Sequence, residues 1–189
     1  DETILLAKEY GTYLSMDIYN TEYTFAFGKA NGVPEENLKK DEAIGQVQRD
    51  SFTAAVKAGV NMVFGSDAAI YPHGDNAKQF SRMVTYGMTE LQAIQAATVN
   101  AATMMKRNDI AQIKQGFFAD IIAVSANPLE DISVTERVSF VMKNGIIYKQ
   151  WSDSVFSYNP IDQYRRRLQS EVLFQGAEML TKKLKLLSG

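Results

Sequence analysis

The chain has 189 residues, enough to bury a core and to form one domain or a little more. Its apolar share of 46%, with ten Phe and nine Tyr, is typical of a folded chain, and its net charge of -2 gives no general attraction to nucleic acid or to an anionic membrane. It has no cysteine, which excludes disulfides, thiol catalysis and thiolate metal sites.

Neither a membrane span nor a secretory signal is visible in the sequence. No apolar run reaches the roughly 18 residues that a spanning helix needs, and the first residues lack a signal-peptide pattern. We therefore expect no membrane association. The absence of cysteine leaves the cellular compartment of the protein undecided, and we slightly favour the cytoplasm. The chain opens with Asp1 rather than Met, so we expect its natural start to lie elsewhere.

Helices and strands alternate in the first part of the chain. Residues 1–10 have an apolar side and predict a helix, and residues 12–18 predict a strand. Residues 23–33 are aromatic, contain glycine and are too many for a simple turn, so we predict a loop that forms a lid or a pocket wall. Pro34 and the acids after it begin a second helix that runs to about residue 58, with Gly45 as a candidate break.

The next stretch is the most informative one in the sequence. Residues 60–64 are a short apolar run bounded by glycines, which predicts a strand covered on both faces of a parallel sheet. A Gly-Ser pair ends this strand, and Asp67 follows at its C-terminal end. In barrels built from such strands, polar residues at that end carry out the chemistry. Asp67 is therefore the leading candidate for a catalytic residue, and the alternative is a residue that caps a loop or helix.

Two further helices complete the first half of the chain. Residues 76–86 have apolar residues on one side, and Thr89 is a suitable N-cap for a long helix over residues 90–106. The alternation of helices and strands predicts an α/β fold with a parallel sheet.

After residue 107 the pattern changes to short strands. Residues 116–124 predict a turn that leads into a strand, and residues 138–142 and 146–148 predict two more. An Asn-Gly pair at Asn144 joins the last two, which is a strong signal for a hairpin. We predict a small β unit attached to an α/β body.

The C-terminal tail, residues 150–189, has a different character. Residues 163–187 permit a helix, and their basic residues fit a solvated helix face better than a nucleic-acid patch, since no aromatic residues interleave with them in a binding motif. The run EVLFQG at 171–176 resembles the recognition site of the picornaviral 3C protease, with Ala177 in place of the usual Pro. We expect part of the tail to derive from an expression vector, and the alternative is a natural amphipathic helix.

Two loops hold the remaining candidate site residues. After Asp67, Tyr71 either lines a pocket or packs beside its neighbouring proline, and His73 either contacts substrate or is a surface residue. At the end of the first predicted strand, Asp17, Tyr19 and Asn20 either contact substrate or serve in turns and caps.

Several motifs occur together in the first 149 residues. They are AGV…FGSDA at 58–68, YPHG at 71–74, YGMTELQAIQAATVNAA at 86–102, and GFFADII, NPL and VMKNG at 116–122, 127–129 and 141–145. In combination they resemble the C-terminal part of the amidohydrolase superfamily, in the branch of imidazolonepropionase-like enzymes and Xaa-Pro or Xaa-Arg dipeptidases.

This resemblance implies a fold and a division into domains. The fold is a (β/α)8 TIM barrel with a small β-sandwich made from both chain ends, in which residues 12–18 are strand seven and residues 60–64 are strand eight. The six preceding strands would lie outside this chain. The implied divisions are residues 1–106 for the barrel part, 107–149 for the sandwich part and 150–189 for the tail.

The resemblance also implies a metal site. Such enzymes bind one or two divalent ions, with zinc the first expectation, through a His-x-His pair after strand one, a Lys or Glu on strand four, histidines after strands five and six, and an Asp after strand eight. Only this Asp is present, as Asp67, which is thereby implied as metal ligand and proton shuttle. Since a catalytic zinc usually needs three protein ligands, we expect most ligands outside this chain. Tyr71, His73 and Tyr19 are the expected substrate-binding residues.

We interpret the chain as the C-terminal fragment of a metal-dependent amidohydrolase that cleaves a dipeptide-like amide bond and is inactive alone. Ring opening of a cyclic amide or deamination is the alternative chemistry, and a non-catalytic truncated chain or assembly partner is the alternative class. Because part of a barrel leaves sheet edges and apolar faces open, we expect a partner that supplies the N-terminal part, and a homo-oligomer. The expected ligand is a small peptide-like substrate, and nucleic acid is not expected.

Overall fold

The computed structural model describes residues 2–150 and has an α/β body followed by a small β unit. The elements of the body are α1 (Glu2–Glu9), β1 (Tyr13–Met16), α2 (Asn20–Phe27), α3 (Glu35–Ala58), β2 (Asn61–Phe64), α4 (Lys78–Thr85), α5 (Glu90–Ala97) and α6 (Val99–Met104). The tail with its expected helix at 163–187 and its protease-like site lies outside the described residues.

The two strands of the body pair in parallel, as the alternating pattern predicts. Tyr13 lies opposite Asn61, and Met16 lies opposite Phe64. The strands therefore end at the same edge, and the residues that follow them in sequence emerge side by side. This edge is where the candidate site residues lie.

The core lies between the strand pair and the helices that cover it. Phe52 of α3 and Met83 of α4 are almost fully buried, and they pack in one cluster with Ile18, Met62 and Ala93. At about 25 cal/mol per Å² of buried apolar surface, each such large side chain contributes roughly 1.5–3 kcal/mol. The cluster fixes α3, α4 and α5 relative to the sheet, and so positions the loops at the strand ends.

Helix α3 is continuous, and the predicted break at Gly45 is wrong. Gly45 lies inside the helix, where an added Cβ would come within 3.4 Å of the Thr21 hydroxyl oxygen. Gly45 therefore lies at the contact between α2 and α3, where an added Cβ would make only ordinary van der Waals contact with Thr21. The helix ends as expected, at Gly59 with φ of 72°, a conformation that glycine adopts without steric cost.

Two other predictions of local structure are corrected. The first five residues of the predicted loop at 23–33 are helical and belong to α2, because Tyr19, Tyr23 and Phe27 recur every four residues and stack along one side of that helix. The predicted long helix over 90–106 is divided at Thr98, whose φ of -123° and ψ of -95° are not helical. Thr89 caps α5 in a capping box with Gln92, as predicted for an N-cap.

The β unit has three antiparallel strands, β3 (Ile121–Ala123), β4 (Phe140–Lys143) and β5 (Ile146–Lys149), in the order β3-β4-β5. Asn144 and Gly145 both have positive φ, at 50° and 76°, so the predicted hairpin turn is confirmed. A 3-10 helix, Ile132–Arg137, packs against α4, where Ser81 donates to the Glu136 carboxylate at 2.7 Å. Within residues 2–150, no helix has the length and apolarity required to cross a membrane.

Candidate functional site

Two carboxylates and one amide meet at the C-terminal edge of the parallel strands. Asp17 follows β1, Asp67 follows β2, and Asn20 begins α2. The Asn20 Nδ2 donates to Asp17 Oδ2 at 3.1 Å and to Asp67 Oδ2 at 3.0 Å. One amide nitrogen therefore joins the ends of two neighbouring strands.

The orientation of the Asn20 amide follows from the charges around it. An ionised carboxylate only accepts hydrogen bonds, so the NH2 group, not the oxygen, must face the two aspartates. Asn20 is 7% exposed, and its Oδ1 is buried with no hydrogen-bond partner among the described residues. Asp67 is exposed and has φ of 47°, a left-handed conformation that aspartate tolerates better than most residues.

Two glutamines fix the surroundings of this amide. Gln48 of α3 donates from Nε2 to the main-chain oxygen of Asp17 at 3.3 Å. Gln79 of α4 accepts from the Tyr19 N–H at 2.9 Å and donates to the Met16 oxygen at 2.7 Å. The end of β1 is thus held from two helices, so that the turn into α2 has a defined geometry.

An aromatic cluster of Tyr19, Tyr23, Phe27 and Tyr71 lies beside the strand ends. The Tyr19 and Tyr71 ring centroids are 5.0 Å apart at 71°, an edge-to-face arrangement, and Tyr23 is 5.7 Å from Tyr71. The Tyr71 hydroxyl donates to the main-chain oxygen of Ser66, next to Asp67. Burial raises the pKa of the Tyr71 phenol above its usual value, so the group remains a donor at neutral pH.

A cavity of about 250 Å³ is lined in part by Tyr19, Tyr23 and Phe27. The Glu22–Arg82 ion pair and Lys78 line this cavity. Lys78 Nζ lies 5.7 Å from the Tyr19 ring centroid, and its hydrogen bond to Asp75 raises the pKa of the ammonium. The charges of Glu22, Arg82 and Lys78 are thus paired within the chain.

The structure brings some of the expected site residues together and leaves others apart. Asp67, Asp17 and Asn20 form one hydrogen-bonded group, and Tyr19 and Tyr71 form one ring contact. His73 is exposed at the start of a short 3-10 helix, His73–Asp75, outside the aromatic cluster. The link from Asn20 to Asp67 was not expected, because no local pattern connects residues 47 positions apart.

Among the described residues, the donors around Asp67 are fewer than a catalytic metal ion requires. In the described part of the chain, no three His, Cys, Asp or Glu side chains lie close enough to hold a metal. Asp67 and Asp17 provide carboxylate oxygens, which fit a divalent ion as one or two ligands but do not complete a catalytic site. Residues 2–150 can therefore supply part of a metal site and cannot form one alone.

Comparison with known proteins defines the class of this chain. Residues 1–148 match the model of the amidohydrolase family. The chain belongs to the amidohydrolase family, as the combined motifs indicate.

Particular relatives show how much of the family's length is present. An ochratoxinase of Aspergillus niger is 35% identical over 131 residues, 66% of this chain and 27% of the relative. A 5-methylthioadenosine/S-adenosylhomocysteine deaminase of Caldicellulosiruptor saccharolyticus is 27% identical over 158 residues, 78% of this chain and 33% of the relative. The chain thus spans about a third or less of these curated relatives.

Solved structures of amidohydrolases are similar to this chain. A Xaa-Pro dipeptidase with bound methionine in its active site has a TM-score of 0.72 and 38% identity, over 78% of this chain and 37% of that one. The A. niger ochratoxinase structure has a TM-score of 0.65 and 34% identity, over 79% of this chain and 35% of that one. The similarity establishes a mixed α/β fold of the amidohydrolase type for the described part.

Proposed function

We propose that this chain is the C-terminal part of a metal-dependent amidohydrolase that cleaves a dipeptide-like amide bond. The observation that carries the proposal is Asp67, a carboxylate at the C-terminal end of a parallel strand, held by Asn20 and adjacent to a second carboxylate. Its place at the end of a strand is the one that catalytic residues take in barrels of parallel strands.

In this proposal Asp67 is both a metal ligand and the catalytic base. A bound divalent ion, with zinc the first candidate, would lower the pKa of its water towards neutrality. Asp67 would accept a proton from the water and donate it to the amide nitrogen that leaves. Asn20 contacts Oδ2, so Oδ1 can face the reacting atoms.

The substrate contacts in this proposal are Tyr71, Tyr19 and His73. The two tyrosines are buried, and the Tyr71 hydroxyl already bonds to Ser66, so their rings would form an apolar wall rather than bind a polar group. His73 is exposed and would contact the end of the substrate that points away from Asp67. The identity to a Xaa-Pro dipeptidase, 38%, supports a peptide-like substrate.

The missing ligands and strands would come from the preceding part of the same enzyme or from a second chain. In this arrangement β1 and β2 are strands seven and eight of a (β/α)8 barrel, and the three-stranded unit is part of a sandwich. Leu5 and Tyr10 of the α1 region are 63% and 76% exposed, an apolar surface that such a partner or an oligomer would cover.

Deamination is the second candidate, since a deaminase is 27% identical to this chain. The two candidate activities are distinguished by assembling the chain with a polypeptide that supplies the six preceding strands. The zinc content and the reaction products of the assembled enzyme are then measured. Release of free amino acids from a panel of dipeptides by the assembled enzyme would support the proposal. We expect the isolated chain to bind no zinc and to hydrolyse no dipeptide. Ammonia from an adenosine derivative without dipeptide cleavage would support the deaminase. Folding without metal and without either activity would support a non-catalytic chain.

A further inference from the structure

We propose that Asn20 is a positioning residue that fixes the catalytic carboxylate of Asp67. The inference deepens the proposed function and rests on it, because it assigns the residue that orients the base. It starts from the hydrogen bonds from Asn20 Nδ2 to Asp67 and to Asp17, at 3.0 and 3.1 Å.

The number of N–H donors on the Asn20 amide equals the number of carboxylates that accept from it. Its NH2 group has two hydrogens, and each of the two carboxylates takes one. Each of these bonds joins an amide to a charged group and is stronger than a bond between neutral groups. The arrangement also keeps two like charges beside each other by placing a shared donor between them.

Asn20 is held more firmly than the residue it orients. Asn20 is 7% exposed, and its main-chain oxygen accepts from the Thr24 hydroxyl at 3.2 Å, within α2. Asp67 is exposed, in a left-handed conformation within a loop. Such a carboxylate would sample several rotamers if it had no partner. The buried amide therefore selects one orientation of an otherwise mobile base.

The second acceptor, Asp17, fixes the amide in turn. Gln48 of α3 contacts both the main-chain oxygen and Oδ1 of Asp17, at 3.3 and 3.5 Å. The chain of contacts thus runs from α3 through Asp17 and Asn20 to Asp67. A displacement of about 1 Å at a reacting group can cost about 100-fold in rate, so this support is expected to act on the catalytic step.

The test uses Asn20→Asp and Asn20→Ala in the complete enzyme, with dipeptide hydrolysis as the activity. Asn20→Asp has the same shape but no donor, and it adds a third carboxylate. We expect kcat to fall about 100-fold in both variants, with KM within about threefold, and Asn20→Asp to be at least as impaired as Asn20→Ala. A role in packing alone predicts the reverse order, because the isosteric variant would be the milder one.

Asn100→Asp is the matched control. Asn100 also donates its amide, to the main-chain oxygen of Met62 at 3.1 Å, but that oxygen lies within β2 rather than at the site. We expect this variant to lower the midpoint of thermal unfolding while kcat stays within about threefold of wild type. An equal loss of kcat in Asn100→Asp and Asn20→Asp would overturn the inference.

A structural readout separates this inference from the proposed function. Crystal structures of Asn20→Ala and Asn20→Asp are expected to show the Asp67 carboxylate displaced by about 1 Å or more, or in more than one rotamer. Absence of dipeptide hydrolysis in the wild-type enzyme would contradict the proposed function. The displacement of the Asp67 carboxylate could still be measured, because it does not depend on activity. An Asp67 carboxylate that keeps its position in both variants would contradict the positioning role.

Discussion

The side-chain oxygen of Gln79 accepts a hydrogen bond from the main-chain N–H of Tyr19 at 2.9 Å, across 60 residues of sequence. The same side chain donates to the main-chain oxygen of Met16 at 2.7 Å and is fully buried. Gln79 thereby satisfies two main-chain groups where β1 ends and the chain turns into α2. In a wider sheet, a neighbouring strand would hydrogen-bond to these main-chain groups, and here the Gln79 side chain does so instead. The turn that presents Asp17 and Asn20 depends on these two hydrogen bonds.

Replacement of Gln79 by Met, which has a similar volume, should strongly destabilise the protein. It removes the partner of the Tyr19 N–H and one partner of the Met16 oxygen, at about 1–3 kcal/mol for each buried group that is left unpaired. We expect a loss of about 2–5 kcal/mol in the free energy of unfolding, measured by chemical denaturation. Gln115→Met, on an exposed residue, is the control and should stay within about 0.5 kcal/mol of wild type. Equal losses in the two variants would show that the Gln79 bonds contribute little.

The contact between β1 and β2 next to the site predicts a coupling between Gly65 and Ser15. A Cβ added to Gly65 would overlap the Ser15 hydroxyl oxygen, whereas the Ser15 Cβ would be 3.5 Å away and the Met16 nitrogen 3.6 Å away. Gly65 does not have a positive φ, so the obstacle is the hydroxyl and not the backbone. Because Ser15 is exposed, its hydroxyl can turn to another rotamer, so we expect Gly65→Ala to cost only about 0.5–1 kcal/mol.

The double variant Ser15→Ala/Gly65→Ala should recover most of that loss, because it removes the overlapping atom. Ser15→Ala alone should be nearly neutral, since Ser15 is exposed. A double-mutant cycle of unfolding free energies measures the coupling. Additive effects would mean that the Ser15 hydroxyl does not obstruct the added methyl group.

The sequence predicted those features that depend on neighbouring residues. The apolar run at 60–64 predicted β2, the Asn-Gly pair predicted the hairpin, and Thr89 was recognised as a helix cap. The position of Asp67 at the end of β2 follows from the same pattern. These features are local because each is encoded by the period, the turn residues or the cap of a single segment.

Features that depend on distant contacts were missed. Asn20, Gln48 and Gln79 act on residues that lie tens of positions away, so no periodicity marks them. The aromatic stretch after Tyr19 was predicted as a loop, although the four-residue spacing of Tyr19, Tyr23 and Phe27 was a helical signal in the sequence. Gly45 was a candidate break by its low helix propensity, but tertiary packing against α2 overrode that preference.

The hairpin of the β unit should depend on pH through Asp120. Its carboxylate accepts hydrogen bonds from the Lys143 ammonium and from the Asn144 N–H, the latter at 2.7 Å. Both contacts lower the pKa of Asp120, and the bond with Lys143 has the larger effect. A group whose folded pKa is lowered stabilises the fold above its unfolded pKa, about 3.9 for Asp, and this stabilisation is lost as the pH falls through the folded pKa.

Asp120→Asn should therefore reduce the acid sensitivity of the β unit. We expect the midpoint of thermal unfolding to fall less steeply between about pH 5 and pH 3 in this variant than in wild type, with a lower midpoint at pH 7. Glu42→Gln, which removes an exposed carboxylate from α3, is the control and should keep a slope closer to that of wild type. An unchanged slope in Asp120→Asn would contradict the assignment.

The role of Asp67 is tested most directly by the hydrolysis rate of the Asp67→Asn variant in the assembled enzyme. The variant keeps the size of the side chain and removes its ability to accept and deliver a proton, so we expect kcat/KM for a dipeptide to fall by about 10²–10⁴. Asp50→Asn, on an exposed residue of α3, is the control and should retain the wild-type rate. An Asp67→Asn enzyme with the wild-type metal content and a rate within about tenfold of wild type would contradict a catalytic role for this carboxylate.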